Sequence, residues 1–173
     1  TNASTVVGVD RDRAMLEVAR QRTTQNATRF TWMQADAVSV PLPDSSFDVV
    51  FESTLLCLQQ NPTPILDEMI RLCRPGGTVV IGELNPLSPW QLWRRAKARF
   101  GIGYFRNAYW HPPRQLMRIL EHAGCAPRFV GRAVFSIPIN RPNLATLRKV
   151  TDAMGKRLWP CFGAYYVVAA EKR

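Results

Sequence analysis

Apolar and polar positions along this chain alternate between two periods. Thr5 to Val9 is a strand-like run that ends on Asp10. From Asp12 to Arg22 the apolar residues Ala14, Met15, Val18 and Ala19 recur at helical spacing, with Asp12 placed to cap the helix. Phe30 to Met33 is a second short strand, followed by Ala35-Asp36 and the Pro-rich loop Val40 to Asp44. Phe47 to Phe51 is a third, apolar enough for burial on both faces. Pro64 opens a helix with Ile65, Leu66, Met69, Ile70 and Cys73 on its core face, and Arg74-Pro75-Gly76-Gly77 stops it. Thr78 to Gly82 is a fourth, buried strand. Strands and helices alternating at this spacing predict an α/β fold with a parallel sheet built from right-handed crossovers.

Past Glu83 the pattern changes. Trp90 to Phe100 is amphipathic: at ~100° per residue, Leu92, Trp93, Ala96 and Phe100 share one arc, while Arg94, Arg95 and Arg99 lie opposite. A Gly/aromatic stretch runs from Gly101 to Trp110. Pro112-Pro113 then starts a helix through Leu116, Met117, Ile119, Leu120 and Ala123, closed by Gly124. Arg128 to Ile137 reads as a strand, Asn143 caps a helix from Leu144 to Leu158, and Tyr165 to Ala169 is the last strand.

With 173 residues, 46% of them hydrophobic and 21% charged, the chain predicts a single soluble domain rather than a disordered polymer. No window has the ~18 uninterrupted apolar residues of a spanning helix. Cys57, Cys73, Cys125 and Cys161 are scattered without a C-x-x-C pair. That argues against a metal cage or a disulfide framework and fits a reducing, cytoplasmic compartment. The net charge of +10 leaves nucleic acid, an anionic membrane surface or an acidic substrate open, and selects none.

Two acids carry the first chemistry. Asp10 lies at the carboxyl end of a strand with a helix next, where a carboxylate can accept both hydroxyls of a ribose; the alternative is an acid that only caps the helix. Asp36, in Gln34-Ala35-Asp36-Ala37, stands at the next strand end, where it can accept from an exocyclic amine; the alternative is a turn former. Together they make a nucleoside-shaped pair.

Val6-Val7-Gly8-Val9-Asp10 with Met15-Leu16, Asp36-Ala37 leading to Leu42-Pro43-Asp44-Ser45-Ser46-Phe47-Asp48-Val49-Val50, Leu72-Cys73-Arg74-Pro75-Gly76-Gly77 and the helix from Leu116 to Gly124 follow one another in a familiar order. The chain thereby resembles the class I S-adenosylmethionine-dependent methyltransferases, in the branch of the ubiquinone and menaquinone C-methyltransferases. The resemblance implies a Rossmann-like, mostly parallel sheet with helices on both faces and an antiparallel last strand. It also implies S-adenosylmethionine as cofactor, methyl transfer to a small or lipophilic acceptor, and no nucleic-acid partner. Asp10 would take the ribose hydroxyls, Met15 or Arg11 would pack by the adenine, and Asp36 with the Ala37 backbone would read its amine. Glu52 and Ser53 would lie beside the methionine moiety. One departure stands out. The family's first strand, ending in an acid and a G-x-G-x-G turn, is expected ahead of Val6 as the central strand, and only Thr1 to Ser4 stand there. Gly101-x-Gly103 comes after the fourth strand, too late to replace it. The chain therefore reads as one domain, 1–173, lacking that element, with an acceptor-side cover at about 85–111.

The cover's aromatic residues, Trp90, Trp93, Tyr104, Phe105, Tyr109 and Trp110, either line an apolar acceptor pocket or form the cover's own core. His111 reads as a general base, as an acceptor contact or, more simply, as structural; His122 as a partner of helix-end carbonyls. The cations Arg94, Arg95, Lys97 and Arg99 form a solvated face or rest on anionic lipid head groups. Two rival classes remain: a nicotinamide oxidoreductase, which also reads ribose with strand–Asp–helix but needs a pyrophosphate loop, and a basic or degenerate binding module.

Overall fold

The computed structural model describes residues 4–23, 29–100, 108–135 and 145–173. Tyr104, Phe105, Gly101, Gly103 and Asn143, and the end of the strand expected up to Ile137, lie outside the described residues. Two compact units are present, residues 1–44 and 45–173, each with its own sheet.

In the first unit, β1 (Val6–Asp10) and β2 (Phe30–Gln34) pair in parallel, from Val6 opposite Phe30 to Asp10 opposite Gln34. Helix α1 (Arg13–Arg22) connects them and buries Leu16. Asp12 caps it as expected, its carboxylate accepting the Ala14 N–H at 2.8 Å. The Trp32 indole lies across β1 and stacks on Phe30, with 5.8 Å between ring centroids. A side chain at Gly8 would run into that indole, so glycine is required there.

The second unit begins with β3 (Phe47–Ser53), a one-turn helix (Leu56–Leu58), α2 (Thr63–Leu72) and β4 (Cys73–Leu84). It continues through α3 (Pro89–Arg99), α4 (Pro113–His122), β5 (Cys125–Ala133), α5 (Ala145–Leu158) and β6 (Tyr165–Lys172). Strand order is β3-β4-β6-β5. β3 and β4 are parallel, and β6 runs antiparallel to both of its neighbours, as expected of the last strand. Val79, Ile81, Val168 and Ala170 alternate onto one buried face, and Leu56, Ile65, Leu66, Leu116 and Leu120 complete the core. Each such Val, Leu or Ile side chain is worth about 1.5–3 kcal/mol on full burial. No helix among the described residues is long and apolar enough to cross a membrane.

Three expectations need correction. β3 is not buried on both faces: Val49 and Phe51 are 57% and 62% exposed, because only the side bearing Val50 and Glu52 turns inward. Cys73 does not belong to α2. The helix ends at Leu72, and Cys73 opens β4, since Arg74 precedes Pro75 and is pushed into extended conformation. β5 starts at Cys125, earlier than expected, and tolerates Pro127 because it is an edge strand.

Candidate functional site

The carboxyl ends of β1 and β2 bring two of the expected acids to one edge of the first unit. Asp10 accepts the Asp12 N–H on Oδ1 at 2.8 Å, and its Oδ2 has no hydrogen bond among the described residues. It is not the helix cap; Asp12 is. Gln34 Nε2 donates to the Arg11 carbonyl at 3.1 Å and ties the two strand ends together. Asp36 Oδ1 accepts the Val38 N–H at 3.1 Å, so its turn-forming role is real, and its side is solvent-accessible. Arg11 and Met15 are exposed.

In the second unit, the ends of β3 and β4 hold a buried carboxylate pair. Glu52 and Glu83 are 6% and 2% exposed. Glu83 Oε1 accepts the Cys57 N–H at 3.1 Å and Oε2 accepts that of Leu84 at 3.2 Å. Glu52 Oε2 accepts the Leu55 N–H at 3.1 Å, while its Oε1 is buried with no hydrogen-bond partner among the described residues. Burial, and then the neighbouring Glu83 charge, push the Glu52 carboxyl up to about 8; Glu83 is also raised, mainly by burial. At neutral pH the Glu52 carboxyl therefore keeps its proton. Cys57 beside them is pushed up to about 12 by burial and by Glu83, which leaves it an unreactive thiol.

His111 is buried in the same layer. Its Nε2 contacts the Leu56 and Gln59 carbonyls at 3.1 and 2.9 Å, so Nε2 carries the proton and donates. The Tyr166 hydroxyl donates to the His111 carbonyl at 2.6 Å. This histidine latches the start of α4 onto the turn after β3, which is the structural role. His122 Nδ1 meets the Arg118 carbonyl at 2.6 Å, as expected at a helix end.

On the other face of the sheet, the Ser53 and Tyr165 hydroxyls are 2.8 Å apart. Tyr165 reaches Ser53 by crossing over Gly82, where any side chain would collide with the ring. Thr54, next in the chain, has φ +57°, a left-handed conformation that a β-branched residue adopts only under strain. Such strain concentrates at working sites.

Beyond β4, Asn85 is fully buried and donates from Nδ2 to the Cys161 and Gly163 carbonyls at 2.8 and 2.7 Å. It thereby anchors the turn that carries Phe162. Trp90, Pro89, Phe135, Gly155, Trp159 and Phe162 line an aromatic cavity of about 230 Å³. Among the described residues of the expected cover, Trp93 packs edge-on against Trp90, with 6.2 Å between ring centroids, and Tyr109 and Trp110 do not line that cavity. Trp93 is exposed beneath the Lys97 ammonium, Trp110 sits under the Arg95 guanidinium, and Tyr109 donates its N–H to the Cys57 carbonyl at 2.8 Å. No cluster that would hold a metal ion occurs among the described residues.

Residues 1–81 match the family described as Methyltransferase domain. The resemblance read in the motifs, to the class I S-adenosylmethionine-dependent methyltransferases, holds. The chain is 40% identical over 80 residues to a demethylmenaquinone methyltransferase of Clavibacter sepedonicus, covering 46% of this chain and 32% of that protein. With the demethylmenaquinone methyltransferase of Thermus thermophilus the identity is 32% over 99 residues, 57% of this chain and 41% of that one. The chain thus spans less than half the length of these curated relatives. In fold it is similar to a Thermotoga maritima protein described as a methyltransferase, possibly a histamine N-methyltransferase (TM-score 0.71, 22% identity, 96% of this chain and 72% of that one). It is also similar to geranyl diphosphate C-methyltransferase of Streptomyces coelicolor (TM-score 0.63, 16% identity, 98% and 63%). The Rossmann-like fold expected from the motifs is present, and neither rival class is favoured.

Glu83, Thr54, Tyr165, Tyr166, Trp159 and Phe162 were not among the expected site residues. Glu83 alone had a usable signal, an acid closing a strand that is otherwise apolar.

Proposed function

We propose that this chain is part of an S-adenosylmethionine-dependent methyltransferase that acts on a small or lipophilic acceptor. The observation that carries this reading is the pair Asp10 and Asp36 at adjacent, parallel strand ends in a segment that matches the methyltransferase-domain family. The residues fit the adenosine half of the cofactor. Asp10 Oδ2 is open to a ribose hydroxyl, and Asp36 is accessible to an exocyclic amine. Arg11 and Met15 are exposed beside Asp10, where either can cover a base. S-adenosylmethionine, when bound, supplies an already activated methyl group. What is left to the protein is positioning and the exclusion of water. Glu52 and Ser53 are assigned to the methionine end by resemblance, and the strained Thr54 next to them supports a working role for this turn. The aromatic cavity at Trp90 supports an apolar acceptor, with Trp159 and Phe162 as further contacts. Trp93, Trp110 and His111 have less support as acceptor contacts, since each side chain is engaged in another interaction, and Tyr109 is fixed through its backbone N–H but does not line the cavity.

Calorimetric titration with S-adenosylhomocysteine tests the reading. Losing charge-assisted bonds to the ribose is expected to cost Asp10→Ala about 2–3 kcal/mol, a 30- to 150-fold weaker Kd. An unchanged Kd in a folded variant would remove Asp10 from the site.

A further inference from the structure

Helix α3 is turned inside out. At ~100° per residue, Leu92, Ala96, Phe100 and Trp93 fall on one arc, and Trp90, Arg94 and Gln91 fall on the opposite one. The second arc faces the protein: Gln91 is fully buried, and Trp90 and Arg94 are part-buried. The apolar arc faces solvent, with Leu92 59%, Trp93 52% and Phe100 80% exposed. Moreover, neither polar atom of the buried Gln91 amide has a hydrogen-bond partner among the described residues. A helix shaped only for packing on its own protein would be rotated by half a turn. Burying an amide while exposing Leu, Trp and Phe marks the outer arc as a contact surface.

Cations flank that arc on both sides, Lys97 along one edge and Arg95 and Arg99 along the other. Lys97 Nζ lies 3.7 Å from the centroid of the Trp93 ring, and the Arg95 guanidinium 5.2 Å from that of Trp110. These charges are part of a wider asymmetry. Residues 84–120 contain seven Lys and Arg and no Asp or Glu, and residues 84–151 contain twelve cations and one acid, Glu121. Residues 1–83, in contrast, contain seven cations and ten acids. The whole positive excess of the chain therefore belongs to the part that carries α3.

We propose that α3 is a peripheral docking helix for an anionic lipid bilayer. Leu92, Trp93 and Phe100 enter the head-group region, and Arg95, Lys97 and Arg99 meet the lipid phosphates. An apolar arc bordered by cations, in a stretch of sequence without acids, is the pattern of an interfacial helix. Nucleic acid would use the cations and could stack a base on Phe100, but gains nothing from an exposed Leu92, whereas a bilayer uses all three. A second copy packed arc to arc would bring the same cations face to face. The inference concerns α3 alone and stands apart from the methyl-transfer reading.

Flotation of the chain with vesicles tests it. Phosphatidylcholine vesicles containing phosphatidylglycerol are expected to bind it, phosphatidylcholine alone to bind it weakly, and salt to release it. Each cation near an anionic surface contributes roughly fivefold, so Arg95→Gln, Lys97→Gln and Arg99→Gln together should weaken binding on the order of a hundredfold. Leu92→Ser with Phe100→Ser should weaken what persists at high salt while leaving thermal unfolding unchanged, since both positions are exposed. Should the triple variant lose its unfolding transition, Lys97→Gln alone must still weaken binding about fivefold. A folded chain that ignores the anionic vesicles overturns the proposal, as does a triple variant that binds them equally. So does tighter binding to an RNA oligonucleotide that is insensitive to Phe100→Ser, or self-association lost in Phe100→Ser without vesicle binding.

Discussion

Glu52 is the residue at which the fold opposes ordinary chemistry most directly. In an unfolded chain its carboxyl ionises near its usual 4.5, whereas burial and the neighbouring Glu83 hold the proton until about pH 8 in the folded state. Between those values the folded protein binds the extra proton, so stability falls as pH rises, by at most about 1.4 kcal/mol per unit. Below pH 4.5 the contribution is complete, and above about 8 the loss is complete. Thermal unfolding should therefore shift downward across that window, and Glu52→Gln, which mimics the protonated acid, should flatten the dependence. A variant whose midpoint still follows pH like the parent would show that other groups carry it. The sequence announces Asp10, Asp12 and Asp36 because a short polar side chain at a strand end has few roles. It does not announce the Glu52–Glu83 pair or the strain at Thr54. Those arise from the parallel pairing of β3 with β4, whose residues lie about thirty positions apart.

At the level of elements, periodicity reports which residues share a face but not which way that face points. The helix over Trp90 to Arg99 is where its spacing places it, yet it buries Gln91 and exposes Leu92. β3 reads as apolar throughout, yet presents Val49 and Phe51 outward. Both misreadings have one cause, since burial depends on what packs against an element and not on its own pattern. Boundaries with their own chemistry were legible, such as the Asp12 cap of α1 and the Gly124 end of α4 at φ +80°. Gly82 looked like an ordinary strand residue until Tyr165 was seen to cross it. Gly82→Ala should displace the Tyr165 ring, break its bond to Ser53 and cost about 1–3 kcal/mol in urea unfolding. Tyr165→Phe, which keeps the ring, should cost only about 0.5–1.5 kcal/mol. Equal costs for the two substitutions would mean that the ring's passage over Gly82 is loose.

For the molecule as a whole, the core is distributed very unequally between the two units. Of the buried apolar side chains among the described residues, only Leu16 and Val40 belong to residues 1–44; the others, from Leu56 to Ala170, belong to residues 45–173. A two-stranded sheet with one helix is marginal without further burial. Local opening of the first unit should therefore require far less free energy than opening of β4 or β6, which have hydrogen-bonded neighbours on both edges. Hydrogen exchange measures this directly. Amides of Val6 to Asp10 and Phe30 to Gln34 are expected to exchange orders of magnitude faster than those of Val79 to Gly82 and Val167 to Ala170. S-adenosylhomocysteine should slow the first group selectively if Asp10 and Asp36 hold the nucleoside, by about a hundredfold at a hundred times its Kd. The expected G-x-G-x-G strand ahead of Val6, if a longer chain supplies it to the free edge of β1 or β3, should slow that strand as well. Exchange in β1 as slow as in β4 would show that the first unit is held by more than its own two buried side chains. Ligand protection confined to residues 45–173 would move the nucleoside site away from Asp10.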